Sequence, residues 1–343
     1  MMRRRFQSLL AVLFAGLILA STSVARANEA SGKRLTFSGS AGFGRPFVLV
    51  TDIDDTIKVS HILDPIAKVV RFLSTPVSFA GMASLYNLLL IEADRAGLNA
   101  EFSVVSGTPN LLRGSVLRFV DDFGFPDPEI VFTRPLTAST LPYKIEKVGE
   151  ILNRPDMRDA VVLLIGDDTE HDPAAYHRAD HDIGGRAGFK SDIYIRRVKG
   201  GTRAVSTRQV FFDSAADIAL LEHARGRLSR QSVLAVFDEV EYERDFERLF
   251  VPGEYCPGTS SPRMSEDVRV ADVAPDLLQR LRGIEQRLRA HCVLSQEWLR
   301  QNSHKALSGI STDSALYHSL KGRDDLEMLR EGELLHDGQT GDR

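Results

Sequence analysis

The sequence predicts a doubly wound α/β domain built on a mostly parallel sheet, followed by a mainly helical C-terminal extension. Three observations carry this. Residues 47–50, 102–105 and 161–165 are short, continuous apolar runs rich in β-branched residues, the pattern of strands buried on both faces. Segments with helical periodicity lie between them, so successive strands are joined by crossover helices and run parallel. Each run then ends in polar residues: Asp52-Ile53-Asp54-Asp55 after the first, Ser106 after the second, Gly166-Asp167-Asp168 after the third. In a parallel sheet those ends share one edge, which is where open α/β sheets bind ligands.

Taken in order, residues 28–45 are polar and glycine-containing, with a candidate edge strand at 35–38. The stretch 61–79 is poorly patterned. Its apolar run at 66–73 reads either as a helix packed on the sheet or as a rim that touches a bilayer. A helix over 82–96 puts Leu85, Leu88, Leu89 and Ala93 on one face, with Gly97 as the residue past its end. Thr108-Pro109 reads as N-cap and first residue of the next helix. That helix has Leu112, Val116, Phe119 and Val120 inward, and Gly124 stops it. A short strand at 129–132 precedes a helix over 140–153 with Ile145, Val148, Ile151 and Leu152 inward, and further strands fall at 193–195 and 210–212. The α/β domain so defined covers 35–225. The extension, 226–309, contains an amphipathic helix over 275–302 with Leu277, Leu281, Ile284, Leu288, Cys292 and Leu299 on one stripe. The tail, 310–343, is polar and has the composition of a flexible segment.

With 343 residues, 43% hydrophobic and 26% charged, the composition is that of a globular protein. The first 27 residues differ: a basic start at Arg3-Arg4-Arg5, an apolar core at 9–20, and a small-x-small site at Ala25-Arg26-Ala27. This is the layout of a secretory signal peptide, and it predicts export, most naturally to a Gram-negative periplasm. Its removal takes away Arg3, Arg4, Arg5 and Arg26 and moves the net charge from −4 to −8. That balance argues against a nucleic-acid partner, and no protein partner is predicted. Cys256 and Cys292 are the only cysteines. In an oxidising compartment they either pair or remain as two buried thiols.

The chemistry starts from Asp52 and Asp54. On an extended chain their spacing puts both carboxylates on one side, where they repel unless a cation or a proton lies between them. Lys144, near the start of a helix, and Ser106 complete a set suited to phosphoryl transfer. A carboxylate attacks phosphorus, Mg²⁺ on hard oxygen ligands neutralises charge, and a hydroxyl and an ammonium hold the phosphoryl oxygens. Taken singly, these residues would be an acidic turn, a turn serine and a solvated lysine; the ordered combination is what separates the readings.

Four motifs carry a resemblance. Asp52-Ile53-Asp54-Asp55-Thr56-Ile57 is similar to D-I-D-D-T-I/V. Val105-Ser106-Gly107-Thr108-Pro109-Asn110-Leu111 is similar to V-S-x-S-P-x-x-L, with Thr108 in place of the second serine. Tyr143-Lys144-Ile145-Glu146 is similar to H-K-x-x, with Tyr143 in place of histidine. Leu164 to Tyr176 is similar to L-I-G-D-S-G-x-x-D-P-x-x-Y, with Asp168-Thr169 in place of Ser-Gly. The region 45–215 thus resembles the haloacid dehalogenase (HAD) superfamily. Within it, the similarity is to the lipin-like phosphatidate phosphatases, in particular the catalytic-domain family of the yeast actin-patch-associated phosphatidate phosphatase.

The resemblance implies a HAD-like Rossmannoid core and an aspartyl-phosphate mechanism with Mg²⁺. It implies Asp52 as nucleophile, Asp54 as general acid and then base, and Ser106 and Lys144 as phosphoryl-binding catalytic groups. Asp52, Asp54 (through its carbonyl) and Asp167 would be the metal ligands. Asp172, or Asp168 where the family has serine, would stand behind those ligands. Thr108, Lys58 and Arg113 are candidates to touch substrate, and Arg134, His171 and Arg178 could add charge for a lipid phosphate. The implied substrate is phosphatidate or a similar lipid phosphate, with peripheral membrane contact. The intervals between motifs hold no full cap domain, so only a minimal cap is expected. A broad phosphatase for soluble phosphomonoesters and a non-catalytic phosphatidate-binding module are the alternatives.

Overall fold

The structure, a computed structural model, describes residues 44–60, 76–169, 171–184, 191–199, 204–245, 248–250, 255–256 and 263–308. The candidate leader at 1–27, the candidate strand at 35–38, the 61–75 stretch and the 310–343 tail lie outside the described residues.

Along the chain the elements are β1 (Pro46–Thr51), α1 (Met82–Arg95), β2 (Asn99–Pro109), α2 (Arg113–Asp122), β3 (Ile130–Arg134), α3 (Thr140–Leu152), β4 (Val161–Asp167), α4 (Asp172–Ala179), β5 (Ser191–Arg196), β6 (Gln209–Phe212), α5 (Ala215–Ala224), α6 (Arg230–Tyr242) and α7 (Pro275–Ser308). The six strands form one sheet in the order β3-β2-β1-β4-β5-β6, with every neighbouring pair parallel. From β1 the chain steps outward through β2 to β3, then returns to the far side of β1 as β4. That reversal opens a crevice at the C-terminal ends of β1 and β4. Thr51 lies opposite Ile165, and the Asp52 N–H donates to the Ile165 carbonyl at 3.0 Å, so Asp52 leaves β1 beside the last residues of β4.

Both faces of the sheet are covered, which is why its strands read as unbroken apolar runs. On one face Val48, Val50, Val162, Leu164, Ile193 and Ile195 pack with Val148, Ile151 and Leu152 of α3 and with Ala175, Tyr176 and Ala179 of α4. On the other, α1 buries Met82, Leu85, Tyr86, Leu89, Leu90 and Ala93. Tyr86 meets Phe102 and Phe125 edge-on, with ring centroids 5.7 and 5.6 Å away. Helix α5 is buried from Ala215 through Glu222 and packs against α1, α6 and α7. The α7 stripe is buried at Leu277, Leu281, Ile284, Leu288 and Cys292. Each such leucine contributes about 2 kcal/mol of burial. Cys256 and Cys292 are paired, with Cα atoms 5.4 Å apart. Among the described residues no helix is long and apolar enough to cross a membrane.

Three expectations are corrected. Thr108-Pro109 does not open a helix: β2 continues to Pro109, with a register shift against β3 between Ser106 and Pro109, and α2 begins at Arg113. The segment is held extended by its own bonds. Thr108 N–H donates to Ser106 Oγ (3.0 Å), Thr108 Oγ1 to Asp54 Oδ2 (2.6 Å), and Arg134 Nε to the Gly107 carbonyl (3.0 Å). Leu88 and Ile145 are half-buried rather than central, because Tyr86, Leu90, Tyr143 and Lys144 take inner positions of α1 and α3, and Leu112 is half-buried just before α2 begins. Helix α7 runs past 302 to Ser308, and the side chain of Leu299 lies outside the described ones.

Candidate active site

The loop leaving β1 is a tight turn in which the Ile53 carbonyl accepts from the N–H groups of Ile57 (3.1 Å) and Lys58 (3.0 Å). It needs one left-handed residue, supplied by Asp55 at φ 58°, whose carboxylate accepts the Ser60 N–H at 2.7 Å. Aspartate tolerates that conformation through local hydrogen bonding. The turn sends Asp54 and Thr56 to different partners. Asp54 accepts from Ser60 Oγ (2.5 Å) and Thr108 Oγ1 (2.6 Å), with Lys58 Nζ at 3.5 Å. Thr56 Oγ1 donates to Asp167 Oδ2 at 3.0 Å.

Opposite, Gly166 lets α4 close on the end of β4. A Cβ there would lie 2.5 Å from Asp172 Oδ2, so only glycine admits that carboxylate. Asp172 Oδ2 accepts the Asp167 N–H at 3.3 Å and its Oδ1 accepts from Lys144 Nζ at 2.5 Å. Lys144, 1% exposed, also reaches Asp52 Oδ1 at 3.3 Å. It sits one helical turn before Val148, on the inward face of α3.

Asp52, Asp167 and Asp172 can each offer an oxygen within 4.8 Å of the others, all three buried. Burial raises the Asp52 carboxyl well above its ordinary range. Lys144 opposes this, while Asp172, Asp167 and Asp54 add to it. Burial, then Asp172, raises Asp167 likewise. For Lys144 burial disfavours the charge, but Asp172, Asp52 and Asp167 outweigh it and hold the ammonium above its usual value. One ammonium therefore faces three carboxylates.

Asp52 Oδ1 is fully buried and makes no hydrogen bond; the Lys144 ammonium 3.3 Å away, itself bonded to Asp172, is the charge that faces it. Hard oxygen donors, an excess of negative charge and a buried carboxylate oxygen without a hydrogen bond together fit a divalent metal cation.

The remaining candidates are placed as follows. Ser106 is fully buried at the end of β2 and accepts the Thr108 N–H. The Asp54 carboxylate lies outside the Asp52–Asp167–Asp172 group. Asp172, expected behind the ligands, stands within that group, because Gly166 admits it. Asp168 is turned away: its Oδ1 accepts the N–H groups of Val198 (2.7 Å) and Lys199 (2.8 Å), fastening the chain after β5. Lys58 is half-buried, Arg113, His171 and Arg178 are exposed, and Arg134 is engaged with the Gly107 carbonyl. Tyr143, in the place of histidine, donates to the Thr133 carbonyl at 2.7 Å. Thr56, Ser60 and Thr169 were not singled out by sequence as site residues, yet each bonds a site carboxylate. Thr169 donates to Asp167 Oδ1 through its N–H at 2.7 Å and again through its hydroxyl. Hydroxyl residues within a few positions of each acidic cluster are the signal that could have found them.

Buried carboxylates at the ends of β1 and β4, with the ammonium of Lys144 from α3 beside them, make a set suited to phosphoryl transfer. Residues 47–197 match the family model described as phosphatidate phosphatase APP1, catalytic domain. The chain is thus a phosphoric monoester hydrolase. Among solved structures it is similar to the core domain of a Streptococcus pneumoniae protein assigned as a phosphoglycolate phosphatase: 15% identity, 53% of this chain and 98% of the other, TM-score 0.27. It is also similar to the HAD domain of the Legionella pneumophila effector protein Lem4, at 14% identity over 47% of this chain and 90% of the other, TM-score 0.29. A comparison with curated proteins returned no match.

Proposed function

We propose that the chain is a Mg²⁺-dependent hydrolase of lipid phosphomonoesters of the phosphatidate type, acting through an aspartyl-phosphate on Asp52. The observation that carries this is the buried Asp52 Oδ1, which accepts no hydrogen bond and lies 3.3 Å from the Lys144 ammonium at the mouth of β1. The ammonium fixes the carboxylate in place and leaves it to act as the nucleophile. The matched family supports the lipid substrate.

In the first half-reaction an Asp52 oxygen bonds to phosphorus, the ester P–O bond breaks, and Asp54 protonates the leaving alkoxide. In the second, Asp54 takes a proton from water. The water oxygen bonds to phosphorus, the bond to Asp52 breaks, and phosphate leaves with the carboxylate restored. The hydroxyls of Ser60 and Thr108 on Asp54 can donate or accept, so they hold that side chain in both protonation states. Lys144 fixes Asp52 and Asp172 and pairs with phosphoryl oxygens, and Ser106 donates to them. Asp52, Asp167 and Asp172 are the groups that would hold Mg²⁺, which when bound supplies neutralisation of the anionic phosphoryl group. The 1–27 segment and the Cys256–Cys292 pair support export to an oxidising compartment.

The test is phosphate release from phosphatidate in detergent micelles, with Mg²⁺ and with chelator, beside Asp52→Asn. Metal-dependent release lost in Asp52→Asn is the expected result. Release from a small chromogenic ester but none from the lipid would discard the lipid substrate. No release from either would favour a binding module.

A further inference from the structure

Arg196, the last residue of β5, is a buried cation that the chemistry above does not use. It is 2% exposed, with its guanidinium carbon 3.9 Å from the Phe79 ring centroid and 4.7 Å from that of Phe212. Its Nε donates to the Thr56 carbonyl at 2.9 Å and its Nη1 to the Asp213 carbonyl at 3.1 Å. Its Nη2 is buried with no hydrogen bond. Burial lowers its pKa to about 10, which leaves it charged at neutral pH, and Asp167 is among the groups that draw the value back up.

Burying a guanidinium to tie two carbonyls is a costly way to join a loop to a sheet, since a neutral side chain would do it without desolvating a charge. What the charge and the planar fork add is local to the acidic centre. The carbonyl that Nε holds belongs to Thr56, and the Thr56 hydroxyl donates to Asp167 Oδ2 at 3.0 Å. The Arg196 carbonyl, in turn, accepts the Asp168 N–H at 3.1 Å. Arg196 therefore grips both sides of Asp167: the residue that follows it, and the threonine that fixes its outer oxygen.

We propose that Arg196 is a positioning residue for the metal-binding centre. It acts through Thr56 to set the orientation of the Asp167 carboxylate and hence the affinity for the divalent cation. The inference rests on the reading of Asp52, Asp167 and Asp172 as that centre. Aromatic stacking from Phe79 and Phe212 holds the guanidinium plane, so lysine cannot replace it.

The experiment is calorimetric titration of the full chain with Mg²⁺, together with the Mg²⁺-induced rise in Tm, for wild type, Arg196→Lys, Thr56→Val and the double variant. Partners that orient a metal ligand change affinity by about 10-fold or more, and each single variant is expected to weaken Mg²⁺ binding by about that factor. Because both act through one hydrogen bond, the double variant should bind about as weakly as either single one. Thr56→Val leaves the buried cation untouched, so it tests the relay even where Arg196→Lys fails to fold. An unchanged Mg²⁺ affinity in Thr56→Val, or losses that simply multiply in the double variant, would overturn the proposal. So would an Arg196→Lys protein whose metal-free Tm falls while its Mg²⁺ affinity stays at the wild-type value, the mark of a purely structural residue. A wild-type chain that binds no Mg²⁺ would remove the metal reading and this inference together. Binding unchanged across all variants would remove this inference alone.

Discussion

Two buried charge clusters sit on the same sheet and differ in one respect. At the mouth of β1 and β4, Asp52, Asp167 and Asp172 share, among the described residues, the one ammonium of Lys144, and one carboxylate oxygen has no hydrogen bond. Against β5, Glu222 of α5 is fully buried too, but its Oε1 takes Arg225 Nη1 (3.1 Å), Arg227 Nη2 (2.7 Å) and the Tyr194 hydroxyl. Its Oε2 takes Arg227 Nε at 2.5 Å, and Asp192 balances the second guanidinium. The second cluster is closed: two carboxylates, two guanidinium groups, and both Glu222 oxygens occupied. The first is left open and over-anionic. Burial of charge alone does not mark a working site; an unbalanced remainder does.

The contrast can be broken most sharply at Asp52. Asp52→Asn should abolish phosphatase turnover, a loss of about 10³-fold or more, while urea denaturation shows stability unchanged or raised, since one of three crowded negative charges is gone. Lys144→Met should cost both, removing activity and destabilising the fold by about 3 kcal/mol, as an uncompensated buried anion is left. Added Mg²⁺ should restore part of that stability but none of the turnover. Glu222→Gln probes the closed cluster. Its arginines are partly exposed, so the cost should be about 2 kcal/mol of stability, read by denaturation, with turnover unchanged.

The smallest effect is expected at Asp217. Burial first, then Asp213 and Glu285, push its carboxyl up to about 7, although its Oδ2 accepts the N–H groups of Asp213 (2.7 Å) and Ser214 (2.9 Å). A folded-state value above the unfolded one means a contribution that is whole below about pH 4 and is lost as pH rises through 7. Asp217→Asn keeps an acceptor and removes the titration. Its stability should therefore decline less between pH 4 and 7 than that of wild type.

Much of this arrangement was legible in the sequence, for physical reasons that can be named. Strands buried on both faces must be apolar throughout, so β1 and β4 and their acidic ends stood out. The strand order was not legible, because no residue of β4 records that it will pair with β1 rather than with β3. Thr108-Pro109 misled because the pair is equally good as a helix start and as an extended segment, and only the distant Asp54 decides between them. Asp172 was expected behind the metal ligands; its carboxylate comes in among them because Gly166 lacks a side chain, a contact between residues on different elements. Lys144 was recognised through its motif, yet its place one turn before Val148 on an apolar stripe already marked it as buried. Arg196, Thr56 and Asp167 form a chain of contacts across the ends of β5 and β4 and the loop after β1, and no local pattern reports it.

The pairing of β1 with β4 also governs when the centre can exist at all. It is the contact of greatest sequence separation in the sheet, with Phe47 meeting Val161, whereas β2, β3, β5 and β6 each find a nearer partner. Long-range parallel pairing is slow to form, because the loop must close before the contacts repay it. Asp52 emerges early in synthesis and has nothing to work with until Lys144, Asp167 and Asp172 have followed. A chain that has gathered those four groups has therefore already folded across its centre. On the proposed mechanism, the nucleophile is armed last.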